Sequence, residues 1–317
     1  MKKIVVIGGG SGIFNVLKGL KSYPVSITSI VTSFDNGGST GRLRDEFGIL
    51  PPGDIRRSLV ALAPDTGNST LRDLFNFRFS ETSSLLGHSF GNLFLHALST
   101  ISGDEVVGIK KAAEILGITH SIFPVSTDKA HLSAILEDGT IINGETNIDI
   151  PKHNGDLRIT KLFLEPGATL YHEARKAILE ADLIVIGPGD LYTSLIPHTL
   201  VEGFSEAIQE TKAPIAYIVN TMTKWGETNN FTATDFVQTL LSYLKKDSLD
   251  FLICNTAPLS DELLEKYAKT KSFPVQVTKA ELATLAHTIV MEDIVTQTDV
   301  IRHDAEKISK VIMSLAE

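Results

Sequence analysis

Two glycine-rich segments early in the chain could hold a phosphate group. Residues 8–12 read GGGSG, and residues 35–44 read DNGGSTGRLR. Glycine lets the backbone adopt positive φ and approach a ligand closely, while a helix start offers free N–H groups and a positive dipole end. Both segments therefore predict backbone contacts to an anion. The candidate contacts are Gly9, Gly10, Ser11, Gly12, Asp35, Asn36, Gly37, Gly38 and Arg42.

The first segment departs from the dinucleotide fingerprint G-x-G-x-x-G, because Ile13 stands where the third glycine belongs. Taken alone, the segment could also be a tight strand-to-helix turn without a ligand. In the second segment, Asp35 could accept hydrogen bonds from a ribose or help to coordinate Mg²⁺. Arg42 and Arg44 follow it, where they could pair with phosphate or carboxylate.

Four further segments carry polar residues next to predicted strand or helix ends. Residues 51–57 read PPGDIRR, a stiff turn into a helix, in which Asp54 is either the N-cap or a ligand contact. Residues 87–92 read GHSFGN, with His88 and Asn92 at a helix start. Residues 187–194 read GPGDLYTS, and residues 220–228 read NTMTKWGET. The candidate binding residues here are Asn92, Gly187, Gly189, Tyr192, Thr193 and Asn220.

Short apolar runs separated by amphipathic stretches predict the elements that position these segments. The runs at residues 4–7, 27–31, 183–186, 215–219 and 251–254 are typical of strands buried on both faces. The intervening stretches predict helices at residues 14–21, 191–208, 234–245, 260–269 and 305–315. Asp304 is suited to cap the last of these. Because ligands bind outside the carboxyl ends of parallel strands, the segments should form one site.

We therefore predict an α/β fold, a Rossmann-like and mostly parallel sheet flanked by helices. One nucleotide-binding domain would span residues 1–317. A small antiparallel β insertion is expected at about residues 118–166, where an EDG turn at residues 137–139 separates two short strands.

Composition narrows the function classes. The chain has 317 residues and a net charge of -9, with 38 acidic against 29 basic residues, which argues against a protein that coats nucleic acid. No apolar run approaches the length of a membrane helix, and a single cysteine, Cys254, suits a reducing compartment. We expect a cytoplasmic protein with no nucleic-acid or membrane partner. P-loop, nucleophile-elbow and zinc-spacing motifs are not found.

Taken together and in order, these motifs resemble the YvcK/CofD-like family, and within it the bacterial YvcK branch. The resemblance rests on GGGSG, DNGGSTGRLRDEFGILPPGDIRR, GHSFGN, GPGDLYTS, NTMTKWGET and VIRHD, which cover nearly the whole chain. It implies that the glycine segments and Asp35 form a nucleotide site. Arg302 is similar to a nucleotide-contacting arginine of the branch, and Tyr267 to a nucleotide-contacting tyrosine.

The resemblance implies two functions. The YvcK branch is associated with binding UDP-sugars such as UDP-N-acetylglucosamine or UDP-glucose, with growth on gluconeogenic carbon sources and with cell shape. CofD enzymes move a phospholactyl group from a nucleotide diphosphate carrier to a deazaflavin alcohol, with Mg²⁺. Many relatives have Asp-Asp where this chain has Asp35-Asn36, which weakens a paired-carboxylate metal site.

We therefore rank a UDP-sugar-binding regulatory protein first and a CofD-like transferase second. An NAD-dependent oxidoreductase, supported only by the βαβ pattern and the incomplete fingerprint, ranks third. Binding would need no cofactor, whereas a transferase would use Mg²⁺ at Asp35. A homo-oligomer, a dimer, is expected, and a regulatory protein partner is compatible with this function.

Overall fold

The structure is a computed structural model that describes residues 1–65, 69–80 and 84–316. Its strands are β1 Lys3–Gly8, β2 Ser26–Val31, β3 Ser121–Pro124, β4 His131–Leu136, β5 Ile141–Asn143, β6 Ile159–Glu165, β7 Leu183–Ile186, β8 Ile215–Ile218, β9 Leu249–Asn255, β10 Ala286–Glu292, β11 Val295–Gln297 and β12 Ile301–His303. Its helices are α1 Gly12–Leu20, α2 Gly38–Phe47, α3 Pro52–Leu62, α4 Ser69–Asn76, α5 Phe90–Ser102, α6 Glu105–Ile115, α7 Glu145–Asp149, α8 His172–Leu179, α9 Ile196–Thr199, α10 Phe204–Glu210, α11 Ala233–Leu244, α12 Asp261–Ala268, α13 Lys279–Leu282 and α14 Ala305–Leu315, and a π-helical turn, Leu191–Leu195, precedes α9.

The main sheet has seven parallel strands in the order β10-β9-β8-β7-β1-β2-β3. From β1 the chain runs outward through β2 to β3. It then returns to the other side of β1 at β7 and runs outward again to β10. The order therefore reverses between β1 and β7, which are paired from Ile4↔Leu183 to Ile7↔Ile186. A crevice at the carboxyl ends of two such strands is where α/β sheets bind ligands.

The strands are apolar along their length because both faces of the sheet are covered. In β1, Val5 and Ile7 face one hydrophobic core, and Ile4 and Val6 face the other. Helices α8, α10 and α11 contribute to the first core, and α1, α3 and α14 to the second. Uninterrupted apolar runs are the expected sequence pattern for such strands. No helix among the described residues is both long and apolar enough to cross a lipid bilayer.

The predicted strands and most predicted helices are confirmed to within two or three residues. Asp304 caps α14, since its carboxylate accepts hydrogen bonds from the backbone N–H groups of Glu306 and Lys307 at 3.0 Å each. The single helix predicted at residues 191–208 is wrong. The chain forms the π-helical turn, the short α9 and then α10, because Pro197 lacks a backbone donor and Gly203 adopts φ 88° between the last two.

A three-stranded antiparallel sheet, in the order β5-β4-β6, lies between the two halves of the main sheet in sequence. It includes the hairpin predicted around residues 137–139. The sheet and α7 occupy residues 131–165, whereas Ser121–Pro124, within the range predicted for the insertion, forms the edge strand β3 of the main sheet. Helix α7, between β5 and β6, brings side chains of this segment to the carboxyl edge of the main sheet.

Candidate functional site

Two adjoining cavities lie at the carboxyl edge of the main sheet. The first is bordered by the loop after β1, the loop after β7, the residues after β8 and the β11–β12 hairpin. Gly9, Gly10, Ser11 and Gly12 all line it. A Cβ on Gly12 would lie 1.8 Å from the carbonyl oxygen of Pro188, so only glycine permits this approach of the two loops.

Ile13 has a packing role that explains the missing third glycine of the fingerprint. Its side chain is 1% exposed and lies between the ends of β1 and β7. A Cβ on Gly8 or on Gly187 would lie 2.5 or 2.4 Å from Cγ2 of Ile13. A dinucleotide fold makes this close strand–helix contact with a glycine on the helix, whereas here the glycines are Gly8, the last residue of β1, and Gly187, directly after β7.

The start of α1 presents free backbone donors to the first cavity. Ser11 occupies the N-cap position, but its side chain makes no capping hydrogen bond, and the first turn contains no acidic residue. The first N–H groups of a helix and the positive end of its dipole favour an anion. This part of the cavity is therefore suited to a phosphate group.

The opposite side of the first cavity is formed by α12 and the β11–β12 hairpin. Tyr267 and Arg302, the two residues for which nucleotide contacts were expected from the family resemblance, both line the cavity. The hydroxyl of Tyr267 accepts a hydrogen bond from the backbone N–H of Ile301 at 3.1 Å, which anchors β12 beside the ring. The arginine next in sequence is therefore held on a positioned strand while its side chain remains exposed.

Two hydrogen-bond acceptors in this cavity have no partner among the residues that the structure describes. Asn220 donates from Nδ2 to the carbonyl of Gly189 at 2.8 Å, but its Oδ1 is buried without a hydrogen bond to the described residues. Nε2 of His303 is likewise unpaired. Burial lowers the pKa of His303 to about 4, so the ring is neutral near pH 7. Buried unpaired polar atoms are uncommon, and these two can accept from a ligand hydroxyl or N–H group.

The second cavity lies between α2, α3 and α7 and shares Gly10, Ser11, Asp190 and Ser194 with the first. Asp35 lines it together with Glu145, the first residue of α7. Glu145 donates a hydrogen bond to the Asp35 carboxylate, and burial together with the charges of Asp35 and Asp149 raises the pKa of Glu145 to about 9. Burial also raises the pKa of Asp35. The two carboxyl groups therefore share one proton at neutral pH.

Asp54 also lines the second cavity and is not a helix cap. Helix α3 begins at Pro52 with Pro51 at the N-cap position, so Asp54 lies inside the first turn. Instead the carboxylate accepts a hydrogen bond from the backbone N–H of Gly10 and pairs with Arg57 at 3.3 Å. Burial raises the pKa of Asp54 to about 6. Asp54 thus connects the first glycine loop to the second cavity.

A half-buried lysine, Lys224, occupies the centre of a cluster of three carboxylates beside both cavities. Nζ of Lys224 lies 2.8 Å from Asp190 and 2.9 Å from Glu227, and it also contacts Asp149. Burial alone would lower the pKa of Lys224, but the three carboxylates raise it above its ordinary value. Because the ammonium group already fills the space between these oxygens, they are an ion-pair network rather than a metal site. The network joins α7 to the loop that follows β7.

Ser39, at the start of α2, joins the GHSFGN segment to the second cavity. Its Oγ lies 3.1 Å from Nδ1 of His88 and accepts a hydrogen bond from Nδ2 of Asn92 at 3.2 Å. Asn92 lines the second cavity, whereas the buried His88 supports it from behind. Since the N–H groups of Asn92 and Ser89 donate to the Ser39 oxygen, this arrangement positions the GHSFGN segment against the start of α2.

The remaining predicted residues divide between the cavities and their surroundings. Gly189 and Asn220 line the first cavity, and Gly37, Gly38 and Thr193 line the second. Four others line neither. Asn36 accepts a hydrogen bond from the backbone of Thr146, and Arg42 donates one to the carbonyl of Leu86. Gly187 makes room for Ile13, and Tyr192 faces a separate depression beside Arg158.

The surroundings of Asp35 fit a hard divalent cation such as Mg²⁺. Carboxylate oxygens are its usual protein ligands, and Asp35 and Glu145 provide two carboxyl groups in one cavity. Thr32, which is 3% exposed, lines the same cavity, and its Oγ1 has no hydrogen-bond partner among the described residues. Asp35, Glu145 and Thr32 would hold the ion. It would supply positive charge beside a diphosphate.

Sequence reasoning missed the contribution of α7. Glu145 and Asp149 are one helical turn apart, so both face the second cavity. They follow a β-hairpin rather than a glycine-rich loop, and no signal in the sequence connects them to Asp35. Arg56 and Arg57 lie in the PPGDIRR segment and Lys224 lies in the NTMTKWGET segment, but the chemistry of these side chains depends on tertiary neighbours.

Comparisons with known proteins agree with this architecture. The family model described as 2-phospho-L-lactate transferase CofD matches residues 4–295. The chain is 43% identical over 314 residues to the gluconeogenesis factor of Halalkalibacterium halodurans, covering 98% of this chain and 96% of that protein. It is 39% identical to the gluconeogenesis factor of Bacillus subtilis over 99% of this chain and 98% of the other.

A solved structure shows the same fold. The crystal structure of a Bacillus halodurans protein superposes with a TM-score of 0.93 at 42% identity, over 98% of this chain and 99% of that one. Sequence and structure thus agree over nearly the full length, and this chain belongs to the CofD family, among the relatives named gluconeogenesis factor.

Proposed function

We propose that this protein binds a UDP-sugar, either UDP-N-acetylglucosamine or UDP-glucose, in the first cavity. It would act in the cytoplasm as a regulatory protein that controls gluconeogenic growth and cell shape. The observation that carries the proposal is the uncapped start of α1 opposite Arg302 across one cavity. A diphosphate can take the free N–H groups of Ser11 and Gly12 at the start of α1, while an arginine can pair with phosphate or stack on a base.

The unpaired acceptors favour a nucleoside rather than a bare phosphate. Oδ1 of Asn220 and Nε2 of His303 need donors, and ribose hydroxyl groups or a base N–H group can supply them. The phenol ring of Tyr267 offers a flat surface near Arg302. A phosphate alone would leave both acceptors unpaired.

The same geometry disfavours NAD. In a dinucleotide fold the acidic residue after the second strand holds the ribose. Asp35 lines the second cavity instead, where it is hydrogen-bonded to Glu145. Ile13 also fills the position of the third fingerprint glycine.

A thermal-shift titration tests the ligand class. A ligand that binds only the folded state raises its stability by about 2.7 kcal/mol at a hundredfold excess over Kd, which for a chain of this size raises Tm by about 4 °C. We expect this rise with UDP-N-acetylglucosamine or UDP-glucose and no rise with NAD or NADP. A rise with NAD and none with either UDP-sugar would refute the proposal.

A CofD-like transferase is the second candidate, and one observation favours it. Glu145 supplies, from α7, the second carboxyl group that the Asp35-Asn36 sequence lacks. Together with Mg²⁺, such a pair could support attack on a diphosphate linkage by an acceptor in the second cavity. We rank binding first because phosphate contacts by the glycine loops need no metal. Assembly as a dimer and a regulatory protein partner belong to the same proposal.

A further inference from the structure

Asn36 lines neither cavity, but its side chain holds the start of α7, the helix that carries Glu145 into the second cavity. Oδ1 of Asn36 accepts a hydrogen bond from the backbone N–H of Thr146, in the first turn of α7, at 2.9 Å. The two residues are 110 positions apart in the sequence. Asn36 is half-buried, so the hydrogen bond is partly shielded from water.

Helix α7 cannot cap its own start. Gly144 occupies the N-cap position and offers no side-chain acceptor, and α7 has no side-chain capping hydrogen bond of its own. The first N–H groups of a helix need acceptors from outside its hydrogen-bond ladder. Among the residues with a described structure, Asn36 is the side chain that supplies one to α7. It therefore does from a distant segment what an N-cap side chain does locally.

Two glycines allow the loop after β2 to approach α7 this closely. A Cβ on Gly144 would lie 2.6 Å from Nδ2 of Asn36, and Gly144 also adopts φ 90°, which favours glycine. A Cβ on Gly37 would lie 2.9 Å from Oγ1 of Thr146. The two segments are therefore in close contact at two points besides the hydrogen bond.

The last turn of α7 is held by contacts that do not involve Asn36. Ile148 is 1% exposed and packs in the same hydrophobic core as the inward side chains of β4. Asp149 is paired with Lys224. Glu145, by contrast, lies in the first turn. Removing the Asn36 acceptor should therefore loosen the first turn while the rest of the helix stays in place.

The loop that contains Asn36 also orients Asp35. The backbone N–H of Gly37 donates to Oδ1 of Asp35 at 2.7 Å, and Glu145 is hydrogen-bonded to the same carboxylate. One short loop thus fixes one carboxyl group directly and the other through α7. Hydrogen bonds outside the ligand set commonly orient metal ligands in this way.

We propose that Asn36 is a positioning residue of the second cavity. By holding the first turn of α7 against the loop after β2, it places Glu145 beside Asp35 and so sets the affinity of the cavity for a divalent cation. This role does not depend on the binding of a UDP-sugar in the first cavity.

Calorimetry with Mg²⁺ and hydrogen–deuterium exchange, both on nucleotide-free protein, test the proposal. We expect Asn36→Ala to bind Mg²⁺ at least about tenfold more weakly than the wild type, the usual effect of losing such an outer hydrogen bond. The backbone amide of Thr146 should exchange at least about fivefold faster, as expected for the loss of one hydrogen bond. Asn36→Asp keeps an acceptor in place, so it should retain wild-type exchange and bind Mg²⁺ at least as tightly as the wild type.

Asn147→Ala is the matched control. Asn147 is exposed on the same helix, and its Nδ2 donates to the carbonyl of Asn143 at 2.8 Å. This variant should keep wild-type Mg²⁺ affinity and wild-type exchange at Thr146.

Four results would overturn the proposal. The first is wild-type Mg²⁺ affinity or wild-type exchange in Asn36→Ala, and the second is an equal loss in Asn36→Asp or in Asn147→Ala. The third is no Mg²⁺ binding by the wild type. The fourth is global unfolding of Asn36→Ala in circular dichroism, which would show that Asn36 supports the whole fold rather than one turn of α7. If the UDP-sugar fails to bind while Asn36→Ala behaves as predicted, the proposed function fails and the positioning role stands.

Discussion

Glu145, at the start of α7, donates a hydrogen bond to the carboxylate of Asp35, which follows β2. The pair joins the antiparallel segment to the main sheet at the second cavity. The residue after Asp35 is Asn36, which has no carboxyl group, so the sequence alone predicts a weakened paired-carboxylate metal site. Glu145 provides the second carboxyl group instead, beside Asp35 and from a distant part of the chain.

The shared proton makes stability depend on pH. The pKa of Glu145 is about 9 in the folded protein and near 4.5 in an unfolded chain, so folding takes up a proton between these values. The free energy of unfolding should therefore fall as pH rises through this window, by up to about 1.4 kcal/mol per pH unit from this group. We predict that the free energy of unfolding of Glu145→Gln, measured by urea denaturation, falls less steeply with pH than that of the wild type between about pH 6 and about pH 8.

Glu114→Gln is the control for this comparison, because Glu114 is exposed on α6. The unfolding free energy of Glu114→Gln should fall with pH as steeply as that of the wild type. Equal slopes for wild type and Glu145→Gln would show that Glu145 is ionised in the folded state at neutral pH.

Lys224 should be essential for stability. Lys224→Met leaves the buried Glu227 facing the partly exposed Asp149 and Asp190. Breaking a fully buried pair typically costs about 3–5 kcal/mol and breaking an exposed one less than about 1 kcal/mol, so we expect a loss between these limits. Urea denaturation measures the change. Lys3→Met, which breaks an exposed pair with Glu180, should cost less than about 1 kcal/mol. Adding Glu227→Gln to Lys224→Met should recover part of the loss, and no recovery would contradict this account of the network.

Arg302 should contribute directly to nucleotide affinity. Its side chain is exposed on β12 and lines the first cavity, so its removal should not disturb the fold. We predict that Arg302→Ala weakens UDP-sugar binding at least about tenfold in calorimetry, a loss of about 1.4 kcal/mol. Lys310→Ala, an exposed cation on α14, should bind normally. Wild-type affinity in Arg302→Ala would reduce the residue to a surface arginine near a helix start.

Binding without turnover is the outcome expected when the protein is incubated with a UDP-sugar and Mg²⁺. Phosphate contacts through the glycine loops need only backbone N–H groups, and Ser39 Oγ is occupied by two N–H donors. Chromatography should return the nucleotide sugar intact, and Asp35→Asn should lower affinity without removing any activity. Release of UDP or UMP that depends on the protein and disappears in Asp35→Asn would contradict binding without turnover and support the transferase function.

The sheet and the first cavity could be predicted because their signals are local. Strands buried on both faces have continuous apolar runs, and the loops after β1 and β7 can be recognised by their glycine residues. At Gly12, for example, the residue type alone indicates a close approach of another backbone segment, and the structure places the carbonyl of Pro188 there. Arg302 and Tyr267 came from family resemblance, and both line the first cavity.

The second cavity could not be predicted because its chemistry depends on tertiary neighbours. Arg56 looks like an ordinary helix residue until its burial beside Asn92 is known. Lys224 looks like a surface lysine until three carboxylates from separate segments surround it. The broken helix at residues 191–208 was missed for a different reason. Its apolar pattern is continuous, whereas the break arises from the backbone effects of Pro197 and Gly203, which an apolar pattern does not show.

A crystal structure of the protein grown with UDP-N-acetylglucosamine tests the central claim most directly. The account predicts density for the uridine diphosphate in the first cavity, with its phosphates at the backbone N–H groups at the start of α1 and the side chain of Arg302 in contact with the nucleotide. Density for the nucleotide elsewhere, or a first cavity left without nucleotide at saturating ligand, would contradict it.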